Sequence, residues 1–177
     1  MFVRFFSIVI TLFVMSACET PNAKHPFCKE RDKRIYSAVR KFKKAMEAKG
    51  YRAAGLGEGI DHSNGKQKYL GITFDIESIP TIDFARKIEV EALQEFLNYI
   101  NSEEGIQDYV AEYPYPLKFL DVTFISKLRD VDFCMVSNFE EEIYYYKDEP
   151  GKPLEGPLIE VHRESYEDAI RILNQSE

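Results

Sequence analysis

YRAAGLGEGIDHSNGKQKYLGITFDIE, residues 51–77, decides the fold. In its second half Leu70, Ile72, Phe74 and Ile76 are apolar, while Gly71, Thr73, Asp75 and Glu77 between them are small or polar. A period of two puts the apolar set on one face of a strand, with the other face wet. Tyr51 to Asp61 is a second strand-like run. The linking HSNG ends in Asn64-Gly65, a pair suited to the positive φ values of a tight hairpin turn.

With Asn64 and Gly65 as the two central turn residues, Gly59, Gly57 and Gly55 fall opposite Leu70, Ile72 and Phe74. Small would then face large on the core side, letting a helix approach the sheet closely. GLGEG also invites a nucleotide-loop reading. A dinucleotide fingerprint needs G-x-G-x-x-G, however, and His62 stands where the third glycine belongs; the Gly-Lys-Ser/Thr of a Walker loop is absent. Packing is the expectation, and no cofactor is implied.

Working outward, Ile35, Val39, Phe42 and Met46 recur at helical steps from Lys29 onward, and Gly50 supplies a stop. Thr81 is placed to cap a helix running to about Asn101, with Ile88, Ala92, Phe96 and Ile100 on one stripe and Leu93 and Leu97 beside it. Glu103 to Tyr113 reads as a shorter helix ended by Pro114 and Pro116. Strands are expected at Leu117–Ser126, Val131–Asn138, Glu141–Lys147 and, after a Pro/Gly loop, Leu158–His162. Ser165 opens a last helix, with Asp168 completing a capping box. The order α-β-β-α-α-β-β-β-β-α, with short links between successive strands, predicts a single α+β domain over residues 29–177. Its sheet is mainly antiparallel, of five to six strands, with helices packed on one face.

The N-terminus has a different character. A positive start ending at Arg4 leads to the apolar run Phe5–Val14 and then to small residues Ser16 and Ala17, the layout of a signal peptide over residues 1–17. The run is shorter than the ~20 residues a membrane-spanning helix needs. Val14-Met15-Ser16-Ala17-Cys18 resembles the lipobox of bacterial lipoproteins, with Met15 where Leu is commoner. The resemblance implies that Cys18 receives a diacylglyceryl group and becomes the acylated N-terminus after cleavage. It also implies, from Glu19, an outer-membrane location, here read as facing the periplasm. Residues 18–28 then form a lipidated cysteine and short tether. Two or three acyl chains anchor stably, each buried CH2 contributing about 0.8 kcal/mol. The membrane is therefore an expected partner, through covalent lipid. The stretch FARKIEVEALQEFLNYINSEEGIQDYVAEYPYPLKFLDVTF faintly resembles uncharacterised bacterial lipoproteins that share the helix, the Ile-Asn and the Tyr-Pro pair; this implies no activity.

Charge narrows the function. The net charge of −7 argues against nucleic acid as a partner, since that affinity comes largely from neutralising phosphates with Lys and Arg. The three histidines, His25, His62 and His162, have no partner at metal-ligand spacing, no H-E-x-x-H or G-x-S-x-G occurs, and no catalytic or metal residue is assigned. Asp75 and Glu77 share a strand face as ordinary solvated carboxylates. In FEEEIYYYK, residues 139–147, Tyr144 and Tyr146 are the candidate interaction surface, tyrosine being enriched in interfaces. The alternative is a strand whose alternate tyrosines cover the core edge. Cys28 and Cys134 are a candidate disulfide in an oxidising compartment; otherwise Cys134 is a buried thiol of the strand VDFCMV and Cys28 is free. The expected function is a membrane-anchored lipoprotein acting as a non-catalytic binding or assembly module for another envelope protein. The alternative is a small envelope hydrolase acting on cell-wall or lipid substrate.

Overall fold

The alternation read in residues 67–76 is realised as one strand of a six-stranded sheet. The computed structural model describes residues 26–128, 133–152 and 156–176; the leader, Cys18 and the tether up to residue 25 lie outside them. Its elements are α1 (Pro26–Ala48), β1 (Arg52–Ile60), β2 (Gln67–Ile76), α2 (Ile82–Asn101), β3 (Leu120–Ser126), β4 (Met135–Phe139), β5 (Glu142–Lys147), β6 (Ile159–Ser165) and α3 (Tyr166–Ser176). Strands neighbour one another in chain order from β1 to β6. Four pairs are antiparallel, and β2 and β3 run parallel. A parallel pair needs a long crossover, and the chain between β2 and β3, containing α2, provides it. The fold is α+β with a mainly antiparallel sheet.

Local signals explain the helix ends. Pro26 occupies the first turn of α1, where its missing N–H removes no bond. The helix therefore begins earlier than its apolar spacing indicated, and Cys28 lies inside it. At the other end Gly50 has φ +94°; its N–H bonds Glu47 O at 3.0 Å, and Tyr51 N–H reaches back to Met46 O at 3.1 Å, a left-handed glycine cap. Thr81 Oγ1 accepts from Phe84 N at 3.1 Å to open α2, and Ser165 Oγ accepts from Asp168 N at 3.1 Å to open α3.

The core lies between the sheet and a single layer of helices. Phe42 of α1 stacks on Phe96 of α2, with centroids 4.3 Å apart and planes at 8°, and meets Phe74 of β2 edge-on at 5.7 Å. Phe74 stacks in turn on Phe124 of β3 at 5.6 Å. All four rings are fully buried.

Two expectations are corrected. No helix spans 103–113: one 3-10 turn at Ile106–Asp108 stands there. Gln67 captures the following backbone instead, its N–H bonding Tyr109 O and its C=O accepting from Ala111 N, both at 2.8 Å. The glycines, too, are not on the core side. Asp61 and Lys66 close a four-residue loop, in which Gly65 N–H bonds Asp61 O at 2.7 Å and Asp61 Oδ1 accepts from Ser63 N. That loop alone would displace the pairing by two residues and keep the same faces; a bulge between Gly59 and Ile60 takes one residue back, and Gly59, Gly57 and Gly55 stand opposite Tyr69, Gly71 and Thr73. A one-residue slip transfers a whole side-chain set to the other face. A Cβ at Gly57 would meet no atom within 4 Å, so its smallness serves no helix contact.

Candidate functional site

The helix layer encloses a polar cluster that sequence reading missed. Arg86 and Glu89 of α2, Tyr145 of β5 and Glu164 of β6 are all less than a tenth exposed. Arg86 Nε donates to Glu164 Oε1 at 2.8 Å, and the Tyr145 hydroxyl donates to the same oxygen. Burial, followed by that bond to a carboxylate, raises the Tyr145 hydroxyl well above its ordinary value and keeps it protonated. Arg86 also pairs with the exposed Asp83. His162 brings Nε2 to 3.9 Å from Glu164 Oε2, too far for a hydrogen bond. Glu89 is fully buried, and among the described residues neither of its carboxyl oxygens has a hydrogen-bond partner. Desolvation, with the charge of Asp121 adding, holds this carboxyl well above the usual range and so favours its neutral form.

The signal for this cluster was present. Glu89 lies four residues before Leu93 and seven before Phe96, in phase with the buried stripe of α2, and Arg86 lies four before Val90. Two charged residues on an inward stripe announce a buried pair. Glu164 was hidden because β6 runs three residues past His162, as far as Ser165. Chemically the cluster is a clamp: it ties α2 to β5 and β6, and its burial leaves no room for a substrate.

Among the described residues no helix packs on the opposite sheet face. Its side chains follow from the register in rows that cross every strand. One row runs Arg52, Asp75, Ile125, Met135, Tyr146, Glu160; the next runs Gly55, Thr73, Thr123, Ser137, Tyr144, Arg163. Tyr144 and Tyr146 stack at 6.2 Å with planes at 14°, and the Arg163 guanidinium lies 5.7 Å from the Tyr144 centroid. Tyr69 donates to Asp121 Oδ2 at 2.8 Å, and Thr123 to Asp121 Oδ1 at 3.1 Å. At one end an open groove of about 550 Å3 lies between Tyr69, Lys118 and Phe119 on one side and the β4–β5 turn on the other. That turn places Glu140 and Glu141 at φ 49° and 72°, the left-handed region that L-residues enter at about 1–2 kcal/mol each. It joins Phe139 to Glu142 through two residues only, and the Tyr166 N–H holds it by bonding Glu141 O at 2.9 Å.

The residues singled out from sequence are distributed unevenly. Tyr144 and Tyr146 are together on the open face, while Tyr145 between them is in the core, as period two requires. Cys28 and Cys134 are buried and not bonded to each other. Arg31, three residues after Cys28, donates to Gly65 O just before β2, whereas Cys134 O accepts from Ser126 N at the far end of β3. Seven paired residues of parallel strand separate those ends, about 20 Å, and a disulfide needs Cα atoms within about 7 Å. His62 and His162 lie toward opposite edges of the sheet. Asp75 is paired with Arg52, and Glu77 with Lys127 at 3.3 Å, so these carboxylates do not converge. Among the described residues no group of three His, Cys, Asp or Glu is placed to hold a metal, and no helix is long and apolar enough to cross a membrane. No protein-family model, curated protein or solved structure matches the chain.

Proposed function

We propose that this chain is an envelope lipoprotein, anchored through lipid on Cys18, that binds another envelope protein through the open face of its sheet. One observation carries the reading: among the described residues helices cover the six-stranded sheet on one side only, and the other side offers Ile125, Met135, Tyr144 and Tyr146 as adjacent side chains. Tyrosine gives large contact area at low entropic cost with a hydroxyl left for water or a partner, and it is enriched at such surfaces. The hydrolase alternative has less support, because the acid–base candidates are buried, ion-paired or far apart.

Site-specific photocrosslinking in intact cells tests it. A photoreactive residue at Tyr146 or Ser137 should give a discrete protein adduct, and one at Lys87 or Glu91 on the helix side should not. Adducts from the helix side alone would sink the open-face assignment. Labelled fatty acid should enter the wild type and not Cys18→Ala; equal labelling, or none in either, would sink the anchor.

A further inference from the structure

Charge is distributed very unevenly along this acidic chain. Helix α1 holds eight Lys and Arg against three acids, a charge of +5; the remaining residues hold 15 against 27, or −12. The basic residues are also ordered in space. Lys33, Arg34, Arg40, Lys41 and Lys44 recur at three- and four-residue steps with Ser37 among them, lining a groove of about 440 Å3. This stripe lies on the side of α1 opposite Ile35, Val39, Phe42 and Met46, which face the core. Arg34 pairs with Glu30 at 3.0 Å and Lys41 with Glu103 at 2.7 Å, but Arg40 and Lys44 form no ion pair among the described residues.

We propose that the basic stripe of α1 docks on the anionic headgroups of the membrane that anchors the protein. Two features single out that occupant. The first is charge complementarity, since exposed cations near an anionic surface each add affinity. The second is reach: α1 begins at Pro26, so residues 19–25 alone separate it from the anchor at Cys18, spanning at most about 25 Å. The stripe is therefore held next to the bilayer at high effective concentration. Seated this way, the helix layer lies against the membrane and the open sheet face points away from it, toward a partner. The orientation rests on the Cys18 anchor proposed above; the affinity of the stripe does not.

Flotation separates the two. The test protein is the chain from residue 18 onward carrying Cys18→Ala, which keeps every described element and has no lipid. It is mixed with vesicles of phosphatidylcholine alone or of phosphatidylcholine with phosphatidylglycerol. It should float with the anionic vesicles only and be released as salt rises, and Arg40→Glu/Lys44→Glu should weaken binding at least about tenfold. Both positions are exposed, and circular dichroism should read the same fold in parent and variant. Equal flotation with both vesicles, flotation with neither (as a stripe serving an acidic protein would give), or a double variant that floats like its parent overturns the proposal. The native lipidated chain should float with neutral vesicles as well. Its failure there would break the anchor, while the unlipidated chain still decides the stripe.

Discussion

The two halves of the helix–sheet interface are built from opposite chemistry. Over β2 and β3, α1 and the C-terminal half of α2 close on Phe42, Phe74, Phe96 and Phe124. Over β5 and β6, the N-terminal half of the same α2 sets Arg86 and Glu89 against Tyr145 and Glu164. Burying rings is favourable in almost any relative orientation, whereas a carboxylate held by a guanidinium and a phenol has one geometry. The aromatic half supplies free energy; the charged half fixes where α2 lies along the sheet.

Truncation should separate these contributions. Phe42→Ala removes a ring that touches both α2 and β2, and is expected to lower unfolding free energy by about 4 kcal/mol in denaturant titration. A loss under 1 kcal/mol would mean that this half is not the principal core. Arg86→Met leaves Glu164 buried without its cation and should remove about 3 kcal/mol. Adding Glu164→Leu should recover most of that loss, and amide spectra should then broaden as α2 loses its fixed position. Sharp spectra in the recovered double variant would break the idea that the pair specifies geometry.

A finer difference lies within the charged half. Arg86 compensates Glu164, whereas among the described residues no cation or hydrogen-bond donor compensates Glu89. A carboxyl whose folded pKa stands above its unfolded value of about 4.3 stabilises fully below that value. It loses the stabilisation as pH rises through the folded pKa. The wild type should therefore weaken with rising pH above about 4.3, with a slope of up to about 1.4 kcal/mol per unit from this group. Glu89→Gln should lack that component. Parallel stability–pH curves for the two proteins would contradict the burial account. The smallest effect is expected outside both halves: Gly57→Val should change stability by no more than about 0.5 kcal/mol, since its side chain enters open space. A loss of several kcal/mol would restore the close helix contact expected from sequence.

The aromatic half was largely legible in the sequence, because apolar periodicity reports which residues turn inward. Leu70 to Ile76, the stripe of α2 and the Thr81 cap could all be read from spacing. Register was not, because Asn64-Gly65 has the same local chemistry in a two-residue turn as at the end of a four-residue loop, and the bulge between Gly59 and Ile60, which sets the face of the glycines, leaves no mark in the spacing. The charged half was legible only in part: Arg86 and Glu89 fall in phase with the inward stripe of α2, but Glu164 counts as a surface residue until two distant segments meet. Tyr144 and Tyr146 could be singled out, but their exposure depended on the strand phase that buries Tyr145.

The parallel seam between β2 and β3 has a consequence for how the chain assembles. β1–β2 is a hairpin and β3 to β6 a succession of neighbours, so both can form from contacts close in sequence. Only the seam joins Leu70 to Leu120, fifty residues apart. Closing that span expends chain entropy before the contacts repay it, which makes such pairings late and slow. During refolding, pulse-labelled hydrogen exchange should find the amides of β4–β5 protected before those that bond across the seam. A chain caught between those events has two finished pieces of sheet and two exposed edges, and that interval is when a chaperone would be needed.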